Sequence, residues 1–401
     1  MPSLRCLGTL SACLALALSF NQAQPLQTPS AQTAEPRSNQ TPQLIPRTHD
    51  EREARYLTQH RIILNVSVSD ASGKPFKELN ETDFTLIDGQ QPRKLVSFRS
   101  INGETEKNAT HMILVFDTVN NSSRKLRYFV KEVEKYLSSE NGLLAYPMSI
   151  GVFSGAGVDA GQPSRDREAL LAEIKRRAGD LHSTGCLETQ SPGETPVTTP
   201  GLAGAGGVRS PSAGTLACKN DRFVSSVSAL DQFAQEQVNI PGRVILIWIG
   251  AGWPSLTDRQ FTPDTAELKR NFFYQLVKVS TALREAQITL DAVASPDDSP
   301  SPESLATHDV AFFDGVSSED QVRAGNLGLH ALAHQSGGRI LVDTGDLAGQ
   351  IAACIADAQS YYVLTFDSPP AAEFGEYHSL AVKVNRPDLT VRTNTLYYAE
   401  Q

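Results

Sequence analysis

ILVFDTVNNSS, residues 113–123, decides how the rest of the chain is read. Four apolar residues run into Asp117, and a short polar stretch follows. A brief unbroken apolar run reads as a strand buried on both faces. After it, SSRKLRYFVKEVEKYL puts Leu126, Phe129, Val130, Val133 and Leu137 on one helical face. Asp117 thus stands where a buried strand gives way to a loop and then a helix. Two roles fit that position. One is the first ligand of a metal site. The other is a cap for the helix starting near Ser122, where a carboxylate meets the positive end of the helix dipole.

The same alternation continues outward. MSIGVFS reads as a strand and REALLAEIKRRA as a helix. After an insertion rich in Gly, Pro, Ser and Thr (179–220), DRFVSSVSALDQFAQEQV reads as a helix and RVILIWIG as the most apolar strand. The long amphipathic helix TAELKRNFFYQLVKVSTALREAQ and the strands ITLDAVA and RILVDT complete the series. Apolar strands separated by helices imply a parallel sheet covered on both faces, an α/β fold.

The chain ends follow another rule. In IILNVSVSD, Leu64, Val66 and Val68 alternate with Asn65, Ser67 and Ser69, the pattern of a half-buried strand. DFTLIDGQQPRKLVSF reads as a hairpin with Asp88-Gly89 at its tip. SYYVLTFD, HSLAVKVN and LTVRTNTLYYA read as three strands with no helix between them. The strands of 59–105 and 358–401 are expected to pair into one small β-sandwich around an α/β domain of 106–357, since neither set alone buries its apolar face.

Bulk composition narrows the function. The chain has 401 residues, 40% of them hydrophobic and 20% charged, with a formal charge of −9. That balance is globular, and its sign argues against a general footprint for nucleic acid or anionic lipid. Residues 1–23 carry Arg5, an apolar run to Phe20 and a small-residue cleavage site, the pattern of a secretory signal peptide. LSAC at 10–13 mimics a lipoprotein box, but the apolar run continues past Cys13. Residues 24–58, rich in Gln, Pro, Thr and Ser, read as a disordered linker. No later segment is long and apolar enough to span a bilayer. Export implies an oxidising space, secreted or periplasmic. There a Cys186–Cys218 disulfide closing the insertion would remove about 3–4 kcal/mol of loop entropy from the unfolded chain, with two free thiols as the alternative. Cys354, in AGQIAACIADA, reads as a small buried apolar residue.

The order of these elements resembles the von Willebrand factor type A fold, and more closely the secreted bacterial VWFA-related domain proteins. The segments that carry the resemblance are LNVSVSDASGKPFKELNETDFTLIDGQQPRKLVSF, ILVFDTVNNS, PGRVILIWIGAGWP, LAHQSGGRILVDTGDL and the tail from YYVLTFD to NTLYYA. It implies a Rossmann-like type A domain with a mostly parallel, doubly wound sheet, and recognition of a protein or cell-surface ligand. Such domains often hold a divalent cation, Mg²⁺ or Ca²⁺, on an Asp-x-Ser-x-Ser motif with a Thr and an Asp from later loops. Here Asp117, Val119 and Asn121 fall on the first motif, Gly250 stands where the later Asp is expected, and Thr184 lies near the region of the Thr. One carboxylate with a neutral amide makes a degenerate site, since a hard cation needs anionic oxygen to offset lost hydration. A partner-binding rim of Asp117, Asn121 and Trp253 is the resulting expectation. For Trp253 an exposed anchor and packing under the following loop stand side by side.

Enzyme readings are weaker. ILVDTGD (340–346) matches the Asp-Thr-Gly of aspartic proteases, with Asp343 as the candidate acid, but that motif belongs to an all-β fold and helices flank it here. GVFSGAG has the wrong spacing for a nucleophile elbow. His330 and His334 share a helical face without an acidic partner between them. The sequence therefore predicts a non-enzymatic binding or adhesion module. An aspartic-type hydrolase using Asp343 and a structural envelope protein without a discrete site are the alternatives.

Overall fold

The computed structural model describes residues 60–103, 110–139, 142–186, 213–250, 252–253, 265–294, 310–342 and 345–399. The signal and linker segments, Asp343, Pro254 and most of the insertion lie outside them. The described residues belong to one compact unit. They form a mixed α/β structure with one mostly parallel sheet and two antiparallel sheets.

The parallel strands are β5 (Thr110–Asp117), β6 (Leu143–Ser154), β9 (Arg243–Ile249), β10 (Ile288–Ala294) and β11 (Ile340–Val342), ordered β11-β10-β9-β5-β6. Two short antiparallel strands, β7 (Gly157–Ala160) and β8 (Ser164–Asp166), pair with β6. All seven residues of β9 are buried, because it lies in the middle of the sheet under helices on both sides. Met112, Leu114 and Phe116 of β5 pack with α1 (Ser123–Ser138), α2 (Arg167–Arg176) and α6 (Leu347–Ala356). The alternate residues Ile113 and Val115 pack with α3 (Ala213–Gln237), α4 (Ala266–Glu285) and α5 (Leu329–Gln335). Strand period two thus divides one apolar run between two cores. From β5 the chain steps to β6 on one side and later to β9 on the other. The order therefore reverses between β5 and β9, and the crevice at the carboxyl ends of such strands is where open α/β sheets bind ligands.

The antiparallel sheets run β14-β1-β12-β4 and β15-β13-β2-β3. From the amino-terminal side come β1 (Arg61–Ser69), β2 (Phe84–Asp88), β3 (Gln91–Arg93) and β4 (Ser97–Asn102). From the carboxyl-terminal side come β12 (Ser360–Asp367), β13 (Glu376–Val384), β14 (Thr390–Arg392) and β15 (Leu396–Ala399). Leu64, Val66 and Leu364 from one sheet meet Leu86, Leu380 and Tyr397 from the other in a shared core. LTVRTNTLYYA is two strands in different sheets rather than one, because the chain turns between Arg392 and Leu396.

From Leu64 to Ser69, β1 is buried on both faces instead of one. Its polar residues Asn65, Ser67 and Ser69 face the α/β layers. There Arg243 is fully buried. Its guanidinium donates to Ser67 Oγ (3.1 Å), Thr289 Oγ1 (3.1 Å) and the Asp357 carbonyl (3.1 Å), and lies over the Tyr361 ring. The Asp357 carboxylate accepts from Arg339 and Arg392. Beside it, Asp291 Oδ1 accepts from the Arg339 backbone N–H (2.7 Å), while Oδ2 has no hydrogen-bond partner among the described residues. Burial and the nearby Asp357 push the Asp291 carboxyl up to about 6. Cys354, free and fully buried, lies against it, and burial pushes its thiol up as well.

Candidate functional site

Asp117 ends β5 at the point where the strand order reverses, and it is fully buried. Both carboxylate oxygens are taken. Oδ1 accepts from the backbone N–H groups of Val119 (3.0 Å) and Asn120 (2.8 Å). Oδ2 accepts from Asn120 Nδ2 (2.8 Å) and from Trp248 Nε1 (3.0 Å), one strand away on β9. Burial pushes the Asp117 pKa up, and these four donors oppose it. The helix-cap role passes elsewhere. Ser122 caps α1 by accepting from the Lys125 N–H, while Asp117 closes the turn before it.

The residues present do not fit a cation. Four N–H groups point their positive ends at the carboxylate, so each oxygen already accepts two donors. Val119 has no ligand atom, and the Asn121 amide donates back to the Asp117 carbonyl (2.7 Å). Gly250 has φ +148°, and a Cβ there would lie 2.1 Å from Asn121 Nδ2, so an aspartate has no room. Thr184 does reach the site's edge, but its hydroxyl pairs with Thr118 Oγ1 (2.9 Å). No group of three or more His, Cys, Asp or Glu suited to a metal occurs among the described residues. The expectation that Asp117 and Asn121 ligate a metal is corrected accordingly.

The expected rim is corrected too. Asp117 and Asn121 are fully buried and Trp253 is 4% exposed, so none of them reaches a partner in this conformation. Trp253 takes the packed alternative. Its indole N–H donates to the Leu327 carbonyl (2.6 Å) and its ring meets Trp248 edge-on at 5.7 Å. A buried indole needs such an acceptor, and the carbonyl supplies it.

Of the residues that hold the turn, Cys218 stands out in the sequence reading, but Arg222, Ser226 and Trp248 escaped it. Cys218, Arg222 and Ser226 lie at i, i+4 and i+8 along α3, on one face. Arg222 donates to Asn120 Oδ1 (3.2 Å), and Ser226 Oγ accepts from Asn120 Nδ2 (3.0 Å). The expected disulfide joins Cys186 to Cys218, with a Cα separation of 5.6 Å. It brings residues 181–186 against the turn. Gly185 is required there, because a Cβ would lie 1.9 Å from the Val119 carbonyl oxygen. The four-residue spacing in α3 was the available signal. Trp248 offered none, since an aromatic inside an apolar strand reads as core.

Of the two histidines, His334 is packed. His334 stacks on Phe313 at 4.3 Å, and burial pulls its pKa down. Asp346, next to the protease-like motif, caps α6 by accepting from the Gly349 N–H (2.9 Å). No helix among the described residues is long and apolar enough to cross a membrane.

No protein-family model matches the chain, and no curated protein does. Among solved structures, the human COPII-coat protein Sec24c matches with TM-score 0.32 and 8% identity, over 73% of this chain and 44% of that one. Proximal thread matrix protein 1 from the mussel byssus matches with TM-score 0.28 and 9% identity, over 67% and 49%. The chain spans less than half the length of either. Likeness at this level carries no argument about function.

Proposed function

We propose that the chain is an exported, non-enzymatic binding module of type A-like architecture, with a small β-sandwich built from both chain ends. It recognises a protein or surface partner at the carboxyl edge of its mostly parallel sheet, and does so without a cation. The parallel order β11-β10-β9-β5-β6 with helices on both faces supports the type A reading. The signal-like first 23 residues and the Cys186–Cys218 bridge support export to an oxidising space. One observation carries the cation-free part: both Asp117 oxygens are saturated by N–H donors. The partner then meets what lies above the buried turn. Those side chains include exposed Arg124, His182, Asp221 and Val224.

The test uses beads carrying the disulfide-intact protein, incubated with an envelope fraction and with an extracellular protein fraction from the producing cells. Saturable retention in EDTA, competed away by free protein, is the expected result. Retention only with Mg²⁺ or Ca²⁺ overturns the cation-free reading, and no retention overturns binding itself. Thermal unfolding gives an independent check. A cation at a hundred times its dissociation constant would add about 2.7 kcal/mol, and no such shift is expected.

A further inference from the structure

α1 buries Leu126, Phe129, Val133 and Leu137. The opposite face carries Arg124, Arg127, Tyr128, Lys131 and Lys135, all exposed. At 100° per residue these five fall within about a third of a turn, a straight stripe about 17 Å long. Lys135 pairs with Glu132 (3.3 Å), but Arg124, Arg127 and Lys131 make no ion pair with any described residue. Glu132 and Glu134 flank the stripe and are half-buried.

Several cations on or beside two other helices are paired. On α4, Lys269 pairs with Asp320, Arg270 with Glu319 and Lys278 with Asp231. At the end of α2, Arg176 and Arg177 both pair with Glu173. The α1 stripe is also unfavourable for the helix itself. Its first turn holds Arg124 and Lys125 and no acid, at the positive end of the dipole. Arg124/Arg127, Arg127/Lys131 and Lys131/Lys135 are like charges at i,i+3 or i,i+4, which repel. A chain with a net charge of −9 has acids enough to balance this face, yet leaves it cationic. A row that opposes local stability and faces solvent is where a partner's charge is expected.

The geometry points to this stripe as the docking surface for an acidic helical segment of a partner protein. Its cations are spaced about 4.5, 6 and 6 Å along the axis, the i,i+3 and i,i+4 spacing that a second helix presents on one face. Arg124 and Arg127 match carboxylates in bidentate geometry, and Tyr128 supplies apolar contact at the centre of the row. α1 starts at the buried Asp117 turn, so the stripe extends the proposed edge outward; it rests on the binding-module reading and names the partner's chemistry.

The probe is a labelled alanine-based helical peptide with glutamates on one face at i,i+3 and i,i+4. A control peptide has the same composition with its glutamates spread around the helix. Binding is read by fluorescence anisotropy at 50 and 200 mM salt. Saturable binding of the one-faced peptide is expected, weakened at least tenfold by the higher salt and at least tenfold by R127E/K131E. The milder R127Q/K131Q should weaken it less, and K269E/R270E should leave it unchanged; circular dichroism confirms that each variant is folded. Equal binding of both peptides, equal binding by the R127E/K131E protein, or no binding overturns the proposal. So does tighter binding of a linear sulfated polysaccharide than of the peptide, which would assign the stripe to a glycan. Loss of peptide binding with envelope retention intact removes the stripe alone and leaves the binding reading standing.

Discussion

Asp117 and Asp291 are both fully buried carboxyls in the same sheet, two strands apart. Asp117 ends its strand and collects four N–H donors. Asp291 sits in mid-strand with one N–H donor, the Arg339 backbone, and the weakly donating Cys354 thiol beside it, and with Asp357 nearby. Burial pushes both pKa values up, but only Asp117 is surrounded by dipoles organised for an anion. Asp88 adds a third case. Burial pushes it up, yet hydrogen bonds from His378 and Arg93 outweigh burial and hold it below the usual carboxylate range. The environment of a buried acid, rather than its depth, decides whether it stabilises as an anion.

Removing the best-satisfied acid should cost most. Asp117→Ala removes the acceptor of four donors, of which only Asn120 Nδ2 keeps another partner, Ser226 Oγ, and is expected to lose about 4 kcal/mol in urea unfolding. A loss near 1 kcal/mol would place Asp117 with Asp291 as a poorly used charge.

The second effect depends on pH. Folded Asp291 titrates at about 6 against an ordinary 3.8, so the folded state holds its proton more tightly than the unfolded state. Its contribution is therefore most favourable at low pH and is lost as pH rises from about 4 through 6, worth about 3 kcal/mol across that window. Asp291→Asn should be more stable than the parent at pH 7.5 and should lose that advantage by pH 4. Parallel stability curves for the two proteins would remove the contrast.

Trp248→Phe keeps the aromatic packing but removes one donor from Asp117 Oδ2. About 2 kcal/mol is expected, since the acceptor is charged and buried. An equal cost in an Asp117→Ala background would mean that the indole packs but does not pair.

The smallest effect belongs to His378, whose pKa is raised by its bond to Asp88. That stabilisation is complete below the unfolded value near 6.5 and is lost as pH rises through the folded value. His378→Gln should cost about 1 kcal/mol at pH 6 and less at pH 9. A pH-independent cost would show that Asp88 is served by Arg93 and Tyr397 alone.

The sequence made some of this legible. Period two and period 3.6 expose β5, α1 and β9 directly, because a buried strand and an amphipathic helix write their surroundings into local pattern. Asp117's position at a strand end was legible for the same reason. Its partners were not. Trp248 lies 131 residues away, and Trp253 finds its acceptor 74 residues on at Leu327. Such pairings depend on which strands become neighbours, and periodicity carries no record of that. The double burial of β1 was hidden likewise. Asn65 and Ser67 look solvent-facing until Arg243 arrives from the other end of the α/β layers.

The pairing of β1 with β12 bears on how this chain is made. Arg61 meets Asp367 across 306 residues, and β12 then separates β1 from β4. At about 5–20 residues per second, β1 waits about 15–60 seconds after synthesis for the strand that completes its sheet. Until then its apolar edge is open. Closure of the antiparallel layers must wait for these late strands, and a chain cut short before residue 360 leaves β1 and β4 without a partner strand and β2 paired on its β3 side alone, as aggregation-prone edges.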